Sequence, residues 1–162
     1  MTQRPVPRIL ALLGITLLLH YLLSLLVWPP TDADVVLAWI VQPMSSIAGY
    51  TWASYVVWAI AVTVVCVRLR DSRPAPRVLW LGAGALLAAS VGPPIVTAVG
   101  LVLSGAADPF GADAGVVLFV AMVTAIPFTV AALLSIVVVE LGLGRSRTVR
   151  RDASAAAAPL AG

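Results

Sequence analysis

Four apolar segments, each long enough to cross a lipid bilayer, constrain the fold of this chain more than any other feature. They cover residues 9–28, 48–67, 78–103 and 115–141. A hydrocarbon layer of about 30 Å requires roughly 20 helical residues. The segments lack the alternation of a half-buried strand, and a helix satisfies its own backbone groups in lipid. The sequence therefore predicts an all-α integral membrane protein, a four-transmembrane-helix bundle of two helical hairpins, in a single domain over residues 1–145.

The composition supports a membrane protein and leaves little material for an active site. The chain is 61% hydrophobic and 10% charged, against about 45–50% and about 25% in soluble domains. Cys66 is the single cysteine and His20 the single histidine. This excludes, within one chain, a disulfide, a cysteine-based zinc or iron–sulfur site and bis-histidine haem ligation. We therefore predict no catalytic residue, no metal site and no cofactor.

The arginines predict the orientation in the membrane. All ten basic residues are arginine, and they precede the first segment, separate the second from the third, or follow the fourth. The positive-inside rule therefore places both termini and the middle loop in the cytoplasm. The first segment is too long for a signal peptide and is expected to stay as an anchor. The remaining cytoplasmic tail, 146–162, is predicted to be disordered.

The sequence also indicates which membrane the protein occupies and which class of partner it binds. The pI of about 9.8 suggests nucleic-acid binding, but membrane topology already explains the positions of the arginines. The predicted partner is the lipid bilayer and not a nucleic acid. Lysine and asparagine are both absent, which indicates a GC-rich bacterial genome and hence a bacterial plasma membrane. Residues 34–47 form either an interfacial helix or an extension of the second span, and the sequence leaves these alternatives open.

His20 is the most distinctive polar residue of the predicted spans, because it lies about 3 Å from the midpoint of the first one. Three other polar residues fall at similar depth: Ser90, Thr124 and Thr129. The prolines at 93, 94 and 127 are expected to interrupt the third and fourth spans nearby and to free backbone carbonyls. One interpretation is an intramembrane transport site. The favoured interpretation is a neutral histidine that fixes helix packing, because no acidic residue accompanies it.

Glu140 is the one acidic residue inside a predicted span, near the cytoplasmic end of the fourth. A carboxylate at a helix C-terminus opposes the helix dipole and needs a cation. Arg8 and Arg77 lie at similar depth, and Arg145 follows closely in sequence. We take Glu140 and Arg145 as the candidate interfacial ion pair. Its favoured role is to fix helix register rather than to carry a proton or a cation.

The third segment carries a stripe of small residues. Its members are Gly82, Ala85, Ala89 and Gly92, with Gly84 and Ala88 beside them. Such stripes allow another helix to approach closely. A helix of the same chain is the favoured partner, ahead of a second copy or another protein.

Three classes of function remain, and the sequence ranks them without naming a substrate. The favoured class is a membrane protein without enzymatic activity, an accessory or scaffold component that packs with itself or with other membrane proteins. A small transporter or channel-like protein that uses His20 is the alternative. A membrane enzyme ranks last, because His20 and Glu140 are expected roughly 20 Å apart along the membrane normal.

Overall fold

The protein is almost entirely helical in the part of the chain that its computed structural model describes, residues 5–27, 51–103 and 112–156. The helices are α1 (Pro5–Val27), α2 (Trp52–Arg68), α3 (Pro74–Leu103) and α4 (Ala112–Ala156). No strand occurs within these ranges. The all-α prediction is confirmed for them.

Three of the helices contain segments long and apolar enough to cross a membrane. These segments are Pro5–Val27, Pro74–Gly100 and Leu118–Gly142. The remaining helix, α2, is equally apolar in character but has 17 residues, a length of about 25 Å. The predicted second span begins at residue 48, and residues 48–50 lie outside the described ranges. So does the segment 34–47.

The prolines do not interrupt the helices as the sequence suggested. α3 runs continuously through Pro93 and Pro94, and α4 through Pro127. The backbone angle that proline requires is compatible with a helix, so each proline removes one hydrogen bond without ending the helix. The fourth helix also continues to Ala156. It therefore enters the segment 146–162 that the sequence predicted to be disordered, of which 157–162 lie outside the described residues.

The outer surface of the packed helices is unlike that of a soluble protein, while the core between them is also largely apolar. Large apolar side chains point away from the protein on all four helices, as at Leu26 (77% exposed) and Leu79 (72%). Thr16, His20 and Ser135 are instead almost completely buried. In water this arrangement would expose the apolar surface that normally drives folding. It is the arrangement expected where hydrocarbon surrounds the helices.

The helices pack as neighbours, α1 on α2, α2 on α3, α3 on α4, and α4 back on α1. Small residues of α3 make the contact with α2 close. A Cβ atom added to Gly84 would lie 2.8 Å from Ala61 Cβ, and one added to Gly92 would lie 2.7 Å from the Ser54 backbone nitrogen. Ala85 and Ala88 are fully buried between these glycines. These four small residues thus pack within the chain.

Two members of the predicted stripe differ from the rest. A Cβ added to Gly82 would meet nothing within 4 Å, so Gly82 makes no close approach. Ala89 is only partly buried, at the edge of the apolar core. The row that α2 contacts most closely runs through Gly84, Ala88 and Gly92 instead, at a spacing of four residues.

Candidate polar site between the helices

One face of α1 supplies several of the polar side chains of the interior. Arg8, Thr16, His20 and Ser24 follow one another with Leu12 at intervals of four residues. Residues four apart lie on the same helical face. From Leu12 to Ser24, all members of this row are buried. The row was readable from the sequence, because the apolar residues of α1 occupy the other faces.

His20 lies at the centre of an aromatic cluster. Its Nδ1 atom forms a 3.0 Å hydrogen bond with the hydroxyl of Tyr55 on α2. The two rings stack with centroids 5.7 Å apart. Phe128 of α4 packs edge-on against both, at 6.0 Å from His20 and 5.1 Å from Tyr55. Histidine is therefore held by three helices, with 1% of its surface exposed.

A second polar contact lies one turn along α1. The Thr16 hydroxyl is 2.8 Å from Ser135 Oγ on α4 and 2.7 Å from the carbonyl oxygen of Leu12. The Trp58 indole N–H of α2 donates to Thr16 Oγ1 at 3.2 Å. Ser135 in turn donates to the carbonyl of Ala132. These groups satisfy one another and join α1, α2 and α4.

Two of the residues that the sequence grouped with His20 bond within their own helices. Ser90 is on an exposed face of α3, and its hydroxyl donates to the Leu86 carbonyl of its own helix. Thr129 is half-buried and donates to the carbonyl of Ala125. The side chain of Thr124 lies outside the described part of the chain. The sequence analysis missed Tyr55, Thr16 and Ser135, which do make the interior contacts.

Glu140 pairs with Arg8 in the described part of the chain. The Arg8 guanidinium donates to Glu140 Oε1 and joins α1 to α4. The two side chains are 10% and 9% exposed. The Arg145 side chain lies outside the described residues. Depth alone could not select Arg8, because the rotation of each helix also decides which arginine faces Glu140.

Two further groups accompany this ion pair. Arg77, at the start of α3, is 3% exposed and donates through Nη1 to the Arg70 carbonyl at 3.2 Å. The buried thiol of Cys66 lies within electrostatic range of both Arg8 and Arg77. One end of the described structure is therefore ionic.

An apolar layer separates the ionic end from the hydroxyl and histidine groups. It includes Leu12, Val62 and Leu81, each one helical turn from Arg8, Cys66 or Arg77. Along α1, Arg8 lies about 12 Å from Thr16 and about 18 Å from His20, at 1.5 Å per residue. Since Arg8 contacts Glu140, this geometry also keeps Glu140 away from His20. A shared acid–base site between the two is therefore not formed.

Two buried hydroxyls stand apart from these contacts. Ser54 and Thr97 are 0% and 8% exposed. Neither Ser54 Oγ nor Thr97 Oγ1 has a hydrogen-bond partner among the residues that the structure describes. Buried polar atoms are normally satisfied by protein or by water, so these two mark the part of the interior with unused hydrogen-bonding capacity.

Neither a metal-binding cluster in the described residues nor a similar known protein identifies a function for this site. Within the described ranges, no three histidine, cysteine or acidic residues come together as a metal site would require. Comparison of the chain with protein-family models, with curated proteins and with solved structures gives no match.

Proposed function

We propose that this chain is a four-span protein of a bacterial plasma membrane that acts as a non-enzymatic accessory or scaffold component. The observation that carries the proposal is the division between interior and surface. Inside, Thr16 contacts Ser135 and Trp58, His20 contacts Tyr55, and Arg8 contacts Glu140. Outside, the helices present large apolar side chains. Such a protein contacts its surroundings through its apolar surface, with lipid, a second copy or another membrane protein.

The arginines support an orientation with both termini in the cytoplasm. Arg8, Arg77 and the residues near Cys66 lie toward one end of the packed helices. The loop between α2 and α3 carries Arg70 and Arg73 on its exposed surface. Retention of basic segments in the cytoplasm then accounts for the distribution of the arginines.

Gentle isolation of the natively expressed protein tests the accessory role. The protein is extracted in several mild detergents, and native mass spectrometry identifies what stays bound. A second protein in fixed stoichiometry supports the proposal, above all if it is retained by a His20→Ala variant. A lone monomer, or a homodimer without a second protein, in every detergent contradicts the subunit role.

Transport through the helix interior is the second candidate function. The observation in its favour is the buried His20–Tyr55 hydrogen bond, since ionisable groups inside membranes often lie on substrate or proton pathways. His20→Ala should then abolish an uptake or efflux activity while membrane insertion and helix content stay unchanged. If the variant retains its protein partner and no transport phenotype appears, the accessory role is favoured.

A further inference from the structure

A short loop with its own hydrogen bonds joins α2 to α3. The Ser72 backbone N–H donates to the Leu69 carbonyl at 3.2 Å, and the Ser72 hydroxyl donates to the same carbonyl at 2.7 Å. Arg77, in the first turn of α3, donates to the Arg70 carbonyl at 3.2 Å. A turn of this kind brings its first and last residues within about 7 Å of each other. The loop therefore holds the end of α2 close to the start of α3.

Two exposed arginines flank this loop. Arg68 is the last residue of α2, and Arg73 immediately precedes α3. Arg68 follows Ala61 by seven residues, or about two helical turns, and Ala61 is the α2 residue that meets Gly84 of α3. Arg68 also follows the exposed Val64 by four residues. It therefore lies where the line of contact between α2 and α3 opens onto the outer surface, which we call the outer groove.

Trp80 lies on the α3 side of the outer groove. It precedes Gly84 by four residues and the exposed Leu87 by seven, and it is itself 59% exposed. Arg73 precedes Trp80 by a further seven positions, about two turns along the same face of α3. The outer groove therefore ends at two arginines, and an indole side chain lies roughly 10 Å further along it.

The chemistry of the outer groove matches a phospholipid. The ion pair of the loop joins Arg70 to Asp71, whose side-chain atoms lie 3.9 Å apart, whereas Arg68 and Arg73 form no ion pair within the described residues. A guanidinium binds phosphate oxygens through paired N–H donors. Tryptophan favours the level of the membrane interface. Because the groove opens between exposed apolar side chains, a lipid can place its acyl chains alongside them while its phosphate meets the arginines.

We propose that the outer groove binds one anionic phospholipid, whose phosphate contacts Arg68 and Arg73 and whose glycerol and upper acyl chains lie beside Trp80. The lipid comes from the leaflet on the side of the α2–α3 loop, where basic residues attract acidic headgroups. The inference rests on the membrane-spanning arrangement proposed above. It holds whether the chain is an accessory component or a transporter.

Native mass spectrometry of the full-length protein in a neutral detergent tests this site. The protein is titrated with phosphatidylglycerol or with phosphatidylcholine of the same acyl chains. The wild type should retain one phosphatidylglycerol in preference to phosphatidylcholine. Arg68→Gln and Arg73→Gln should each weaken this binding about fivefold. Both side chains are exposed, so circular dichroism should show unchanged helix content.

Arg70→Gln is the matched control, because it removes the same charge from the same loop at a residue already paired with Asp71. It should leave the preference for phosphatidylglycerol nearly unchanged. Equal retention of the two lipids by the wild type, or an equal loss in Arg70→Gln and in Arg68→Gln, would overturn the proposal.

Inorganic phosphate distinguishes a lipid site from a site for free anions. Added at the concentration of the lipid, it should not displace phosphatidylglycerol, because it makes no contact with Trp80 or the apolar side chains. Displacement would overturn the lipid assignment. Selective lipid binding by a chain that retains no second protein would leave this site intact while contradicting the accessory role.

Discussion

The ion pair between Arg8 and Glu140 is the most costly polar contact of the interior to form. Each charge loses hydration when it is buried, and the attraction between the two offsets that loss only while both are present. Arg8 and Glu140 belong to helices far apart in sequence. Their contact therefore fixes the rotation and the height of α1 against α4.

Removal of one charge should be far worse than removal of both. Glu140→Gln leaves the buried Arg8 without its carboxylate and should destabilise the protein by about 3–5 kcal/mol. The double replacement Arg8→Met with Glu140→Met should recover most of that loss. Unfolding in mixed micelles measures the stability of the single and the double variant.

An exposed ion pair provides the control for this prediction. Arg70 and Asp71 lie 3.9 Å apart at the surface, so Asp71→Asn should change stability by less than about 1 kcal/mol. An effect of Glu140→Gln no larger than that of Asp71→Asn would show that the ion pair does not hold α1 to α4.

Thr16 connects more helices than any other hydroxyl described. Thr16→Val would leave the Trp58 indole and the Ser135 hydroxyl without the contacts they now make. The expected cost is about 1–3 kcal/mol from unsatisfied buried groups. Thr63→Val, on an exposed face of α2, should be close to neutral. Unfolding of the two variants by the same method compares them, and equal stability would contradict the interior role of Thr16.

At the scale of helices, the contact between α2 and α3 depends on two glycines. Gly92→Ala would bring a methyl group 2.7 Å from the Ser54 nitrogen, and Gly84→Ala would bring one 2.8 Å from Ala61 Cβ. Overpacking of this kind costs about 1–3 kcal/mol. Gly92→Ala should be the more damaging, because its methyl group meets three atoms of Ser54, two of them backbone, whereas that of Gly84→Ala meets only Ala61 Cβ closely.

Gly82→Ala is the matched control for these two variants. Nothing lies within 4 Å of the added atom, and alanine favours a helix over glycine. We expect unchanged or slightly raised stability in thermal unfolding. A loss of stability in Gly82→Ala as large as that in Gly92→Ala would mean that the predicted stripe, and not the row of Gly84, Ala88 and Gly92, packs against α2.

The sequence predicted the helices better than their rotations. Helix positions follow from apolar segments, whose bounds lie close to those of the observed helices except at the C-terminal end of the fourth. The choice between Gly82 and Gly84 as the close contact, and the contact of Glu140 with Arg8, depend on which face each helix turns inward. The four-residue spacing of Thr16, His20 and Ser24 does contain this information for α1. No such spacing in the sequence points to Tyr55. Its contact with His20 depends on how far α1 and α2 are shifted along each other.

For the whole molecule, the burial pattern and the arginines point to one arrangement. Apolar side chains cover the outside of the packed helices, polar pairs fill part of the inside, and guanidinium groups gather toward one end. A bilayer matches each of these features, since it solvates the apolar surface and retains basic segments on its cytoplasmic side. The proposed role depends on this arrangement.

Reporter fusions along the chain test this membrane arrangement most directly. A fluorescent protein that folds only in the cytoplasm and a phosphatase active only after export are fused in turn within residues 28–50, 69–73 and 104–111, and after the last residue. We predict phosphatase activity at 28–50 and 104–111, and fluorescence at 69–73 and at the C-terminus. Phosphatase activity at 69–73 would show that α2 does not return the chain to the cytoplasm, and would contradict the four-span arrangement.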